Sequence, residues 1–156
     1  KKYDAIILSL AGLQRLNLEN HVTEVLNQND FLPAACQGVV GVQAHKKNNY
    51  ANLFSKLNHI KTQTECLAER NVLRVINANC NSPISVVSKI TNKEIEIKVQ
   101  LLNHFGESIF SKIYTDLKNN HLQLSEIIGN EIISEVGKTT IEQLNNLEND
   151  FDYTPA

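Results

Sequence analysis

The chain has 156 residues, 42% of them hydrophobic and 21% charged, which is ordinary globular composition and length enough for one sizeable core or two small ones. Fifteen basic and 17 acidic residues leave a formal charge of −2, so charge gives no case for nucleic acid or an anionic membrane surface as partner. No apolar run approaches the roughly 20 residues of a membrane helix, and three widely spaced cysteines, Cys36, Cys66 and Cys80, suit reduced thiols in a cytoplasm better than a disulfide framework.

In chain order, the continuous apolar run Ala5-Ile6-Ile7-Leu8 predicts a buried strand over 4–10. Strands of that kind lie inside parallel sheets between two neighbours. The chain also contains no methionine. Together these features lead us to expect a fragment whose sheet partners lie upstream. Residues 11–16 turn into a short helix, and a polar connection follows to Asp30. In Phe31-Leu32-Pro33-Ala34-Ala35-Cys36-Gln37-Gly38, proline and glycine bracket small residues, as in a crossing or hinge segment. Val39–Val42 reads as a second short strand, Lys46–Asn49 as a polar loop and Tyr50–Leu57 as a helix.

From His59 to Ile76 the pattern is helical: Ile60, Thr64, Ala68, Val72, Val75 and Ile76 share a stripe, and Glu69, Arg70 and Arg74 are expected to point away. Asn77-Ala78-Asn79-Cys80-Asn81-Ser82-Pro83 is a loop, since Asx residues and proline end helices. Period-2 alternation then predicts three strands, around 84–90, 94–101 and 109–115, joined by short turns at Thr91-Asn92-Lys93 and Phe105-Gly106. Asn120 and Gln123 have capping-box spacing ahead of a stripe through Leu124, Ile128, Ile132 and Val136. Gly137 breaks that helix, Thr140–Leu147 resumes it, and the tail from Asp150 frays. The fold class is therefore α+β: a three-stranded antiparallel sheet with helices packed on one face, over residues 58–150.

Two readings of Cys80 stand open on these residues: a nucleophilic thiol exposed on a loop, or an idle loop cysteine. Cys66 reads as a small helix-packing hydrophobe. Glu69-Arg70 reads as a solvated or intrahelical charge pair. The five histidines and three cysteines show no paired metal-ligand spacing, so no metal is expected.

Five ordered motifs carry a resemblance. They are Tyr3-Asp4-Ala5-Ile6-Ile7-Leu8 with Ala11-Gly12-Leu13-x-Arg15-Leu16; Leu32-Pro33-Ala34-Ala35-x-Gln37-Gly38; Leu57-Asn58-His59 with Thr62; Ala68-Glu69-Arg70; and Cys80-x-x-Pro83-Ile84. In that order and spacing they resemble the porphobilinogen deaminases (hydroxymethylbilane synthases), over about residues 3–90. The family's Gly-Gly before its cysteine is Ala78-Asn79 here, Cys36 stands for a glycine, and His45 stands where the family usually has arginine.

The resemblance implies a transferase that joins four porphobilinogen units into hydroxymethylbilane with loss of ammonia, in tetrapyrrole (heme) biosynthesis. It implies a dipyrromethane cofactor held by a thioether to Cys80, Arg15 as a carboxylate-binding arginine, and Gln37 as a further cofactor-binding residue. Porphobilinogen and the growing pyrrole chain are the implied partners, with neither nucleic acid nor membrane. No catalytic residue is assigned here, because the family's acid/base aspartate belongs to the upstream portion. The implied layout is the end of domain 2 over 1–32, a hinge and return segment of domain 1 over 33–57, and a C-terminal cofactor-binding domain over 58–156. The first two would be strand and helix remnants of α/β domains like periplasmic binding proteins. A cytoplasmic enzyme, monomeric at full length, is expected; the fragment itself is expected to be inactive and able to self-associate through exposed strands. Two other classes remain as alternatives: a non-catalytic α+β binding module, and a thiol enzyme using Cys80.

Overall fold

A computed structural model describes residues 3–28, 30–45 and 50–146. The expected loop at 46–49 and the tail from Asp150, with Leu147, lie outside the described residues. The chain divides into two compact units, Lys1–Phe31 and Leu32–Ala156.

The first unit holds α1 (Leu10–Arg15), where Ser9 caps the helix by accepting the Gly12 N–H at 3.4 Å, and a 3-10 turn, Glu19–His21. Asn17, at φ 56°, closes α1 in the left-handed conformation that asparagine tolerates. The strand expected over 4–10 does not form. Residues 4–9 lie outside any helix or strand, and Ile6, Ile7 and Leu8 are exposed. A strand is made by its neighbour's backbone groups, and the only sheet among the described residues is elsewhere. The second expected strand, Val39–Val42, fails for the same reason, and Val40 is 87% exposed. Among the described residues, segments 1–32 and 33–57 thus hold short helices and no strand.

The second unit carries α2 (Ala51–Phe54) running into a 3-10 turn (Ser55–Leu57), then α3 (Ile60–Val75). His59 caps α3, its Nδ1 facing the Thr62 hydroxyl at 2.8 Å and backbone N–H at 3.4 Å. Strands β1 (Ile84–Thr91), β2 (Glu94–Leu102) and β3 (Ser108–Leu117) form an antiparallel meander in the order β1-β2-β3. Asn92, at φ 58°, makes the first hairpin turn, in register Thr91 to Glu94. The second turns on Gly106, at φ 81°, with Asn103 Oδ1 accepting the Phe105 and Glu107 N–H groups. Helices α4 (His121–Val136) and α5 (Lys138–Asn145) follow, separated by Gly137 at φ 87°. Asn120 does not form the expected capping box: its side chain donates to Asp116 instead.

The inner sheet face, with Ile84, Val86, Ile90, Ile95, Ile97, Val99, Leu101 and Phe110, is buried against Ala68, Val72 and Ile76 of α3's end and Leu124, Ile128 and Ile132 of α4. Ile60 stays exposed, because the stripe meets the sheet only from Ala68 onward. In β3 the buried side is that of Phe110, paired with Leu101, so Ile109 and Ile113 face outward. Helices α3 and α4 approach so closely that a Cβ on Gly129 would stand 2.5 Å from the Val75 side chain. Glu69 corrects the expectation of a solvated pair. It is 7% exposed, and its carboxylate accepts the Ser88 N–H at 2.7 Å, the Ser88 hydroxyl at 2.9 Å and the Cys36 N–H at 2.6 Å. One turn earlier, Glu65 accepts the Ile90 N–H at 2.7 Å. The two carboxylates occupy outward N–H groups of edge strand β1, which would otherwise invite another chain. No helix among the described residues is long and apolar enough to cross a membrane.

Candidate functional site

The loop carrying Cys80 begins at the end of α3. Asn77, at φ 53°, donates its N–H to Arg74 O at 3.2 Å, and Ala78 donates to Leu73 O at 2.8 Å. This is a Schellman closure with asparagine in the left-handed position. Ala78 and Asn79, which stand for the family's two glycines, do not have positive φ, so neither is strained. Ala78 packs against the core and brings the chain back toward the sheet.

Asn79-Cys80-Asn81-Ser82 is a turn, closed by the Ser82 N–H donating to Asn79 O at 3.2 Å. Inside it, the Asn79 N–H donates to Ser82 Oγ, and the Asn81 N–H to Asn79 Oδ1, both at 2.8 Å. Pro83 leads into β1 and accepts the Leu102 N–H at 2.9 Å, which ties the loop to the sheet. Asn145, at the end of α5, adds bonds from the other side. Its Oδ1 accepts the Ser82 hydroxyl at 2.6 Å, its carbonyl accepts Asn79 Nδ2 at 2.7 Å, and its Nδ2 donates to the Asn77 carbonyl at 2.9 Å. Cys80 is exposed on this pinned turn, and its sulfur hydrogen-bonds to none of the described residues.

The other cysteines differ. Cys36 is half-buried in a turn at φ 59°, a conformation that suits the family's glycine at this place. Its Sγ lies 3.8 Å from the Cys66 carbonyl, and burial first, then Cys66 and the Glu69 carboxylate, push its thiol up to about 12. Such a thiol is not a nucleophile at neutral pH. Gln37 is exposed, its N–H donating to Ala34 O at 3.2 Å, and no hydrogen bond joins it to Cys80. Arg15 lies in the first unit, exposed in the last turn of α1.

Sequence reasoning missed two residues around this region. Glu69 sits inside the Ala68-Glu69-Arg70 motif, four residues after Glu65, and that spacing was the available signal. Asn145 offered none, since an asparagine near a helix end reads as surface.

An exposed sulfur on a braced turn, with no side chain hydrogen-bonded over it, has the access that covalent attachment of a pyrrole requires, so the residues fit such a group. The comparisons bear on the same region. Residues 1–52 match the family profile "Porphobilinogen deaminase, dipyromethane cofactor binding domain", and residues 63–138 match "Porphobilinogen deaminase, C-terminal domain". The cofactor-binding description thus falls on the first segment, while Cys80 lies in the C-terminal match. Among curated relatives, porphobilinogen deaminase of Clostridium acetobutylicum is 37% identical over 97 residues, 62% of this chain and 33% of that protein. That of Clostridium beijerinckii is 32% identical over 130 residues, 83% of this chain and 44% of its own length. That of Prochlorococcus marinus is 29% identical over 136 residues, 86% of this chain and 42% of its own. The chain therefore spans between a third and a half of the length of these relatives. Both profiles and the relatives agree along most of its length, and the chain belongs to the porphobilinogen deaminase family.

Proposed function

We propose that this chain is the cofactor-bearing part of a hydroxymethylbilane synthase, which condenses four porphobilinogen units into hydroxymethylbilane with release of ammonia, in the tetrapyrrole pathway of the cytoplasm. The observation that carries the reading is Cys80, exposed on a turn fixed from both sides, in a Cys80-x-x-Pro83-Ile84 motif that resembles the one around the family's attachment cysteine. The dipyrromethane, when bound, supplies the primer on which the pyrrole chain grows. Cys80 would hold that primer through its sulfur, as a thioether. Such a bond persists through several rounds of addition, where an ion pair would dissociate. Arg15 offers a planar guanidinium to pyrrole carboxylates, which it matches in a bidentate fork. Gln37 offers a carboxamide from its exposed turn. The proposed layout keeps domain 2 over 1–32, the domain 1 segment over 33–57 and the C-terminal domain over 58–156, with a monomeric full-length enzyme.

A thiol enzyme using Cys80 would need a base beside the sulfur, and it predicts fast alkylation of Cys80 alone. The chain by itself is expected to form no bilane from porphobilinogen, and detectable synthesis would overturn that part. Intact mass with peptide mapping across 75–89 tests the attachment. Two linked pyrroles on Cys80 support it; pyrrole mass on Cys36 or Cys66 instead sinks the assignment. A cheaper check is iodoacetamide on the native chain at pH 8. Cys80 is expected to react where it carries no pyrrole and to be blocked where it does, while Cys36, its thiol pushed up to about 12 by burial, is expected to stay unmodified in both cases.

A further inference from the structure

Asn145 is 8% exposed, yet it lies in the last turn of an eight-residue helix, where a side chain would ordinarily meet water. Its carboxamide is spent on the Cys80 loop. Nδ2 donates to the Ile76 carbonyl at 3.3 Å and the Asn77 carbonyl at 2.9 Å, two groups that the end of α3 leaves without helical partners. Oδ1 accepts the Ser82 hydroxyl, and the Asn145 carbonyl accepts Asn79 Nδ2. Ser82 and Asn79 are also the residues that close the turn on themselves. In the place where the resembling family has glycine, Asn79 thus brings two side-chain hydrogen bonds, one to its own turn and one to α5.

We propose that Asn145 is a positioning residue for Cys80: it joins the end of α3, the Asn79–Ser82 turn and α5 into one rigid clamp that fixes where the sulfur stands. The proposal rests on the reading of Cys80 as the attachment site. It also explains how this chain dispenses with the glycine pair. A loop of glycines reaches many conformations and is fixed by what it binds, whereas this loop is fixed in advance by asparagine side chains.

The test uses the full chain with Asn145→Ala, Ser82→Ala and Asn79→Gly, and reads amide hydrogen exchange and the rate of Cys80 alkylation by iodoacetamide. Exchange at Asn79, Asn81 and Ser82 is expected to rise at least about tenfold in each variant, with Ile97 and Val99 unchanged. Alkylation of Cys80 is expected to change at least about threefold, including in Ser82→Ala, whose melting temperature stays within about 2 °C of the parent. The Asn145→Ala, Asn79→Gly double variant is expected to exchange about as fast as the worse single variant, because both break one network. Loop exchange unchanged in Asn145→Ala and Ser82→Ala, or effects that simply multiply in the double variant, would overturn the clamp. A residue that only anchors α5 would lower the melting temperature and leave Cys80 alkylation where it was. Amide exchange is read whether or not Cys80 carries pyrrole, and alkylation is read on chain whose Cys80 is free, so absence of pyrrole on Cys80 breaks the functional reading alone.

Discussion

Ala5-Ile6-Ile7-Leu8 is an unbroken apolar run and Ile95–Leu101 alternates apolar residues with Glu96, Lys98 and Gln100, yet Ile7 is 68% exposed and Ile97 is fully buried. The more apolar of the two strand-like segments is the exposed one. β2 has a neighbour on each side, β1 after a two-residue turn and β3 after a five-residue one, and α3 and α4 cover its inner face. Residues 4–8 bond to no strand among the described residues. Burial of a branched residue therefore follows from ladder partners close in sequence, and the C-terminal unit carries its own.

The largest expected effect sharpens that contrast. In urea unfolding of the full chain, Ile97→Ala should cost about 2–5 kcal/mol, the transfer of lost methyl groups plus a cavity under both helices. Ile7→Ala should move stability by less than about 0.5 kcal/mol, as at an exposed position. A comparable loss at both sites would mean that residues 4–8 are buried in solution. Next, Glu69→Ala should cost about 2–3 kcal/mol, because it strips the acceptor from the buried Ser88 N–H and from the Cys36 N–H. Its exchange signature is specific: Ser88 and Cys36 amides should lose protection first. Gly129→Ala should cost about 1–3 kcal/mol, since the added methyl meets the Val75 side chain at 2.5 Å and forces α3 and α4 apart. An unchanged midpoint for Gly129→Ala would show that this helix pair yields without penalty.

What could be read from the sequence divides along the same line. The three strands and both long helices were legible because alternation and helical stripes are local signals, and each element's partner lies close in the chain. Leu124, Ile128 and Ile132 all face the core as their spacing requires. Residues 4–10 and 39–42 are strand-like in sequence and form no strand, because an apolar run reports a need for ladder partners that none of the described residues meets. Glu69 misled in the opposite direction. A glutamate beside an arginine on a helix suggests water, and only the neighbouring edge of β1 turns it inward. For the candidate site, the sequence proposes Cys80 through its motif, and the structure shows that residue exposed on a loop turn. The clamp was not legible, because Asn145 lies 63 positions beyond Ser82 and meets the loop only after α4 and α5 have folded back.

The smallest expected effect concerns the charged seam between β3 and α4. Lys112 donates to Glu131 at 2.7 Å and also to Glu135. The ammonium, with a lesser contribution from Tyr114, holds the Glu131 carboxyl below its ordinary value of 4.5, while the two carboxylates hold Lys112 above its ordinary value of 10.5. A carboxyl lowered in the folded state contributes stability above 4.5 that is lost as pH falls through its folded value. A raised ammonium contributes below 10.5 and loses that contribution as pH rises through its folded value. The seam should therefore help between these limits and weaken outside both. All three side chains reach water, so the melting temperature of Glu131→Gln should differ from the parent by only about 2 °C at pH 7, and by less at pH 3. High salt should shrink the pH 7 difference. A difference that persisted at pH 3 would locate the contribution of Glu131 in packing on the sheet, and would make this seam resemble the buried Glu69 contact.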